Sequence, residues 1–160
     1  MPDMPTITPD SLIAILDNLK TEYGTVIDQL DPNSPIPAIG EWNPRQVLSH
    51  IIGSLQRVPI HAGYYLAGAS SVPVVFSDPY WIDAWHDAPI QSFKAAFEAA
   101  IEGNKALVRS LAPDVFWRSL PVTGFGDTPL AVFLMVNYSN HIKDAHLHQL
   151  SAFIGAAQPA

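Results

Sequence analysis

The sequence predicts an all-α protein built as a four-helix bundle. Apolar residues recur at helical spacing in four long stretches, prolines fall at the starts and joints between these stretches, and no segment alternates convincingly as a strand would. With 160 residues and 48% hydrophobic content, the chain has enough apolar material for one core. We therefore expect a single domain spanning residues 1–160.

The first helix is predicted to start at Thr8 and Pro9, an N-cap residue followed by proline at the first helical position. Apolar residues follow at helical spacing as far as Leu30. The proline-rich segment Asp31–Pro37 should end this helix, because proline cannot continue the helical hydrogen-bond ladder and restricts the residue before it.

A second and a third helix are predicted from similar signals. Asn43 and Pro44 repeat the cap and proline, and the apolar stripe that follows contains His50. Pro59 predicts either a kink or an end in this helix. The third helix is expected to begin at Pro89 and to end at Pro113, after which residues 114–127 could form a long turn or a short extended piece.

The connection between helices two and three, residues 68–90, is rich in large apolar and aromatic side chains. A solvated loop rarely carries so many, so they must cover another surface. The segment could fold over the bundle as a lid whose aromatic residues line a substrate cavity, or it could plug one end of the core. The residues expected to line that cavity are Tyr80, Trp81 and Trp85.

The last helix is expected to open at Asp127–Pro129 and to run to Gly155, and it carries the residues of greatest chemical interest. On an undistorted helix Asp144 and His148 lie about 40° apart, and His141 lies within about 60° of both. His146 would lie about 200° from Asp144, on the opposite side. Asp144 and His148 could therefore supply part of a divalent metal site, and a further ligand must come from another helix.

His50 is the candidate for that further ligand. It lies on the apolar side of helix two, where a histidine with no function would be less expected. Packing helix two beside the last helix would bring it toward Asp144 and His148, with coordination positions left open for water or substrate. A buried histidine that is purely structural is the competing interpretation.

The composition excludes several other classes of function. The chain contains no cysteine, so a metal would be held by nitrogen and oxygen, with zinc or nickel as the expected ions. The net charge is −7, with only 8 Lys and Arg, which argues against a nucleic-acid partner. No apolar run approaches the roughly 20 residues that span a bilayer, and no signal peptide is recognisable, so we expect a cytoplasmic protein with no membrane partner.

The stretch Glu41–Ile51 resembles the Trp-x-Pro-x-x-Val-Leu-x-His opening of helix two in the DinB/YfiT-like family, and the His-rich last helix is similar to that family's last helix. The resemblance implies a four-helix bundle, a homodimer, and a divalent metal held by one ligand on helix two and two on the last helix. It also implies a thiol S-transferase, isomerase or hydrolase acting on a small-molecule substrate, with a low-molecular-weight thiol such as mycothiol or bacillithiol as a potential cofactor.

The family usually carries His-x3-His on the last helix, which this chain lacks, because Ala145 follows His141 at the fourth position. The mycothiol-dependent branch has a carboxylate and a histidine at i and i+4, as Asp144 and His148 are here. We therefore favour His50, Asp144 and His148 as ligands, with His141 as a fourth ligand or an orienting partner. Two alternatives stay open. A π-bulge could align His141 with His146 at i and i+5, or the metal site could have decayed.

Two functions follow from these expectations. The first is a metal-dependent enzyme in which a metal-bound water or thiol attacks a small electrophile. The second is a metal-free bundle that binds a hydrophobic small molecule or dimerises through an apolar helix face.

Overall fold

The structure, a computed structural model, describes residues 6–31, 42–74 and 88–157. The elements in chain order are α1 (Pro9–Gln29), α2 (Pro44–Leu66), α3 (Ile90–Ser110), the short α4 (Pro113–Phe116), β1 (Ser119–Val122), β2 (Gly126–Pro129), α5 (Leu130–Met135), a π-helix (Val136–Leu147) and α6 (His148–Ala157). Helices α1, α2 and α3 and the run of helix over residues 130–157 form the bundle, which confirms the predicted all-α fold class.

Both cap-and-proline signals are confirmed. Thr8 caps α1 in a reciprocal pair with Ser11, in which each side chain accepts a hydrogen bond from the other residue's backbone N–H. Asn43 caps α2 in the same way with Gln46. These caps satisfy N–H groups that have no partner within the helix, and the cap at Asn43 lies about two turns before His50.

Helix α2 continues through Pro59 to Leu66, so the proline does not end the helix. Proline has no N–H, and the backbone oxygen of Leu55, four residues earlier, consequently lacks its helical donor. Asn104 of α3 supplies a replacement, because its Nδ2 donates to the Leu55 oxygen at 2.9 Å. The Oδ1 of this fully buried asparagine accepts from the Tyr138 hydroxyl at 2.8 Å, so one side chain links α2, α3 and the π-helix.

The region between α3 and the last run of helix contains a small antiparallel hairpin, β1 paired with β2, where a long turn or a short extended piece was predicted. Residues 127–129, predicted to open the last helix, belong to β2 instead, and helix begins at Leu130. Gly124 and Gly126 have φ values of 83° and 74° at the turn, a conformation that glycine adopts without strain. Val72, beyond α2, adds a parallel bridge to Val122.

The core fills the space between the four long helical units. Its largest fully buried side chains are Tyr23, Tyr65, Tyr138, Phe93 and Phe97.

The expected lid or plug concerns chiefly residues 75–87, which lie outside the described residues. Among the helices in the described ranges, none combines the length and apolarity needed to cross a bilayer.

Candidate metal centre

Three half-buried histidines converge between α2 and the π-helix. The Nε2 atom of His141 lies 3.0 Å from Nε2 of His50 and 3.1 Å from Nε2 of His146. One ligand nitrogen from each residue lies within 4.8 Å of the others. Among the His, Asp and Glu side chains in the described part of the chain, these three histidines form a group whose geometry suits a metal ion.

The π-helix is what aligns His141 with His146. On an α-helix, residues five positions apart point about 140° away from each other. In a π-helix the hydrogen bonds join residues i and i+5, so two such residues lie about one turn apart on the same face. The π-helix covers Val136–Leu147 and therefore contains both histidines. Tyr23 of α1 holds this segment from the side, since its buried hydroxyl donates to the Ile142 backbone oxygen.

The three imidazole rings stand edge to face around a common centre. The interplanar angles are 90° for His50 and His141, 64° for His50 and His146, and 78° for His141 and His146. Trp42 covers one side of the cluster, with its ring stacked on His146 at 6.2 Å and tilted over His50 at 4.7 Å. The indole therefore excludes water from that side.

Gln149 fixes the tautomer of His146. Its Oε1 lies 2.9 Å from Nδ1 of His146, and because an amide oxygen only accepts hydrogen bonds, Nδ1 carries the proton. The lone pair of neutral His146 is then on Nε2, which faces His141. Metal-binding histidines are commonly oriented in this way by a hydrogen bond at the other ring nitrogen.

We predict that Gln149→Leu weakens metal binding roughly 10- to 100-fold, because loss of such an orienting partner typically has this effect. Titration of the metal-free protein with Zn²⁺ measures the change. Gln56→Leu, at an exposed position on α2, is the matched control and should bind as the wild type does. Equal dissociation constants for the Gln149 variant and the wild type would contradict the orienting role.

The surroundings keep the three histidines neutral. Burial, with the charges of His146, His141 and Arg57, lowers the pKa of His50 to about 3. Burial and the charge of His146 lower the pKa of His141 to about 4. Burial also lowers the pKa of His146, although the hydrogen bond to Gln149 acts in the opposite direction. Neutral imidazole is the form that binds metal ions.

These lowered pKa values predict acid sensitivity of the metal-free protein. In the unfolded chain a histidine has a pKa of about 6.5, so below that pH the unfolded state binds more protons than the folded state does. The neutral histidines therefore contribute their full stabilisation of the folded state above about pH 6.5. As the pH falls toward about 4, the free energy of unfolding decreases by up to about 1.4 kcal/mol per pH unit for each proton that the unfolded chain takes up and the folded chain does not. Urea unfolding in a chelator at pH 7 and pH 5 measures this loss. His141→Asn, which cannot titrate, should lose less stability, and an unchanged loss would contradict the prediction.

Of the four ligands favoured from the sequence, the structure brings two together, His50 and His141. Asp144 and His148 are exposed and lie outside the cluster, because the π-helix turns a different face of the segment toward α2. The structure has the aligned register that a π-bulge would give, one of the alternatives left open above. His61 lies apart, with its ring edge against Phe133, and His86 is outside the described residues.

The residue that the favoured assignment omitted is His146. Helical periodicity at about 100° per residue placed it on the wrong side, since that rule assumes an α-helix throughout. The i and i+5 spacing of His141 and His146 was the available signal.

The donor set suits a divalent ion of the zinc and nickel type. Three neutral imidazole nitrogens converge, and an ion at about 2.05 Å from each in a tetrahedral arrangement would separate them by about 3.3 Å. The two short separations of 3.0 and 3.1 Å are close to that value. Without an ion, His141 has at most one Nε2 proton and can donate to only one of its two neighbours. A cation accepts all three lone pairs at once.

Comparisons with known proteins identify the fold. No protein-family model matches the sequence, and no curated protein matches it. YfiT from Bacillus subtilis, described as a probable metal-dependent hydrolase with an unusual four-helix bundle topology, superposes with a TM-score of 0.70 at 20% identity, covering 97% of this chain and 94% of that one. The mycothiol-dependent maleylpyruvate isomerase superposes with a TM-score of 0.64 at 9% identity. This match covers 97% of the present chain but only 62% of the isomerase.

Both likenesses extend over 97% of the present chain. The chain therefore has the DinB/YfiT-like fold that the Trp42-to-His50 motif indicated.

Proposed function

We propose that this protein is a divalent-metal-dependent enzyme whose ion is held by His50, His141 and His146. The observation that carries the proposal is the convergence of three neutral imidazole nitrogens from two separate helices. Chance packing of half-buried histidines would not favour three ring edges directed at one point.

The number of protein ligands supports a catalytic site over a structural one. Structural zinc sites are usually closed by four protein ligands, whereas catalytic sites use three and keep a position for water or substrate. Within the described residues, the cluster offers three histidines and no carboxylate as a fourth ligand. A bound ion would act as a Lewis acid that lowers the pKa of a water or thiol at its open position.

The protein's own residues prepare this chemistry in three ways. Burial keeps the imidazoles unprotonated at neutral pH, so no proton has to leave before they bind a metal. Gln149 holds His146 with its Nε2 lone pair toward the cluster. Trp42 shields the rings of His50 and His146 from water, and a drier site strengthens electrostatic interactions.

We propose a small electrophile as the substrate, attacked by water in a hydrolase or by a low-molecular-weight thiol in a transferase or isomerase. The likeness to YfiT favours the first reaction, and the likeness to the mycothiol-dependent isomerase favours the second. In both reactions the protein would hold the nucleophile beside the three histidines and position the electrophile next to it.

The test begins with metal analysis of protein purified without a histidine tag. We expect close to one zinc or nickel ion per chain, removable by a chelator. Hydrolysis of activated esters and thiol transfer to small electrophiles should both be assayed with the ion present, removed and restored. A protein that holds no ion after incubation with zinc, nickel or manganese would contradict the proposal, as would an activity that a chelator leaves unchanged.

A further inference from the structure

A polar stripe runs along α2 from the metal centre toward the C-terminal end of the helix. Its residues are His50, Ser54, Arg57 and His61. They follow one another at spacings of four, three and four positions, which places them within an arc of about 60° on one face. All four are half-buried, so this face is neither open surface nor apolar core. The stripe therefore extends the polar environment of His50 beyond the three ligands.

The permanent charge of the stripe is the guanidinium of Arg57. Helix α2 contains no Asp or Glu over its 23 residues, although the chain as a whole has 15. Burial lowers the pKa of His50 and of His61, so both imidazoles are neutral at pH 7. In a protein with a net charge of −7, this side of the metal centre is thus a place where an anion is favoured.

Arg57 is placed to meet a group next to the metal. Its Cα lies about 10 Å along the helix axis from that of His50. Helical side chains point back toward the N-terminus, so a guanidinium at this position can reach along the stripe toward His50. Along the stripe Arg57 stands between the two histidines, seven positions after His50 and four before His61.

We propose that Arg57 recognises a carboxylate on the substrate, and that the substrate is a small electrophile or thiol adduct carrying that carboxylate a few bonds from its metal-binding atom. This inference rests on the proposed function, because it needs the ion at the three histidines. A single guanidinium matches one carboxylate in a bidentate pair, whereas phosphate sites usually gather several donors. Arg57 already interacts within the protein, and a guanidinium carries five N–H donors, of which a bidentate carboxylate takes two.

The test uses two thiol probes of nearly the same size, one with a carboxylate and one neutral. Both 3-mercaptopropionate and its neutral amide can bind a metal through sulfur, but only the first offers a carboxylate to Arg57. With cobalt in the site, the visible spectrum reports binding of each thiol. We expect the wild type to bind the carboxylate probe roughly tenfold or more tightly than the amide, as a charge-assisted hydrogen bond would provide.

Arg57→Gln should remove this preference while the cobalt content stays at the wild-type level. Arg57→Lys should keep the ion and part of the preference, because lysine keeps the positive charge but cannot form a bidentate pair with a carboxylate. Arg109→Gln, which removes an exposed arginine at the end of α3, is the matched control and should behave as the wild type.

Equal preference in wild type and Arg57→Gln, with cobalt bound in both, would overturn this inference and leave the metal site standing. Tighter binding of inorganic phosphate than of the carboxylate probe, lost in Arg57→Gln, would overturn the assignment to a carboxylate. A wild type that binds no cobalt would overturn the proposed function and this inference together.

Discussion

Replacing His141 with alanine is expected to abolish metal binding. His141 is the central member of the cluster, because its Nε2 makes both of the short contacts, to His50 and to His146. Its removal leaves two ligands on different helices, too few to hold a divalent ion at a catalytic site. An ion that binds only the folded state at 100 times its dissociation constant adds about 2.7 kcal/mol of stability. Zinc should therefore raise the melting temperature of the wild type by roughly 5–10 °C and that of the variant by almost nothing.

The matched control for this experiment is His61→Ala. His61 is also half-buried and belongs to the same face of α2 as His50, but its ring packs against Phe133, away from the cluster. Its loss should lower stability without removing the response to zinc. A full zinc response in the His141 variant would contradict the proposed ligand set.

The second large effect is expected at Asn104. Replacement by alanine removes the hydrogen bonds to the Leu55 backbone oxygen and to the Tyr138 hydroxyl, both of them buried. A buried polar group left without a partner costs about 1–3 kcal/mol, so we expect Asn104→Ala to destabilise the protein by about 2–4 kcal/mol. Thermal or urea unfolding measures the loss.

Pro59 allows a sharper version of this test. Pro59→Ala restores an N–H four residues after Leu55, which can donate to the same backbone oxygen. In that background, Asn104→Ala should destabilise the protein by about 1 kcal/mol less, because the Leu55 backbone oxygen regains a hydrogen-bond donor. Identical costs in the two backgrounds would show that Asn104 does not compensate for the proline.

The sequence was sufficient to predict the helices because their signals are local. Thr8 and Asn43 are side-chain caps followed by proline, and apolar spacing then defines the buried face of each helix. The hairpin was less accessible, since its strands have four residues each and show no clear alternation. The passage of α2 through Pro59 depends on Asn104, 45 positions later, and no local pattern contains that contact.

The candidate site was partly predictable for a related reason. His50 follows from its place on an apolar helix face and from the Trp42 motif, and the structure brings it together with His141. Asp144 and His148 were favoured over His146 because the α-helical period was applied to a segment that is a π-helix. The hydrogen bonds of that segment extend to Tyr23 of another helix, so its register is a tertiary property.

The ligand set is tested most directly by comparing His146→Ala with His148→Ala in one experiment. The two histidines are two residues apart, but one faces His141 and the other is exposed. We predict that His146→Ala loses its zinc, measured as metal per chain after dialysis, and that His148→Ala retains about one ion. Retention of zinc by His146→Ala together with its loss from His148→Ala would contradict the three-histidine centre.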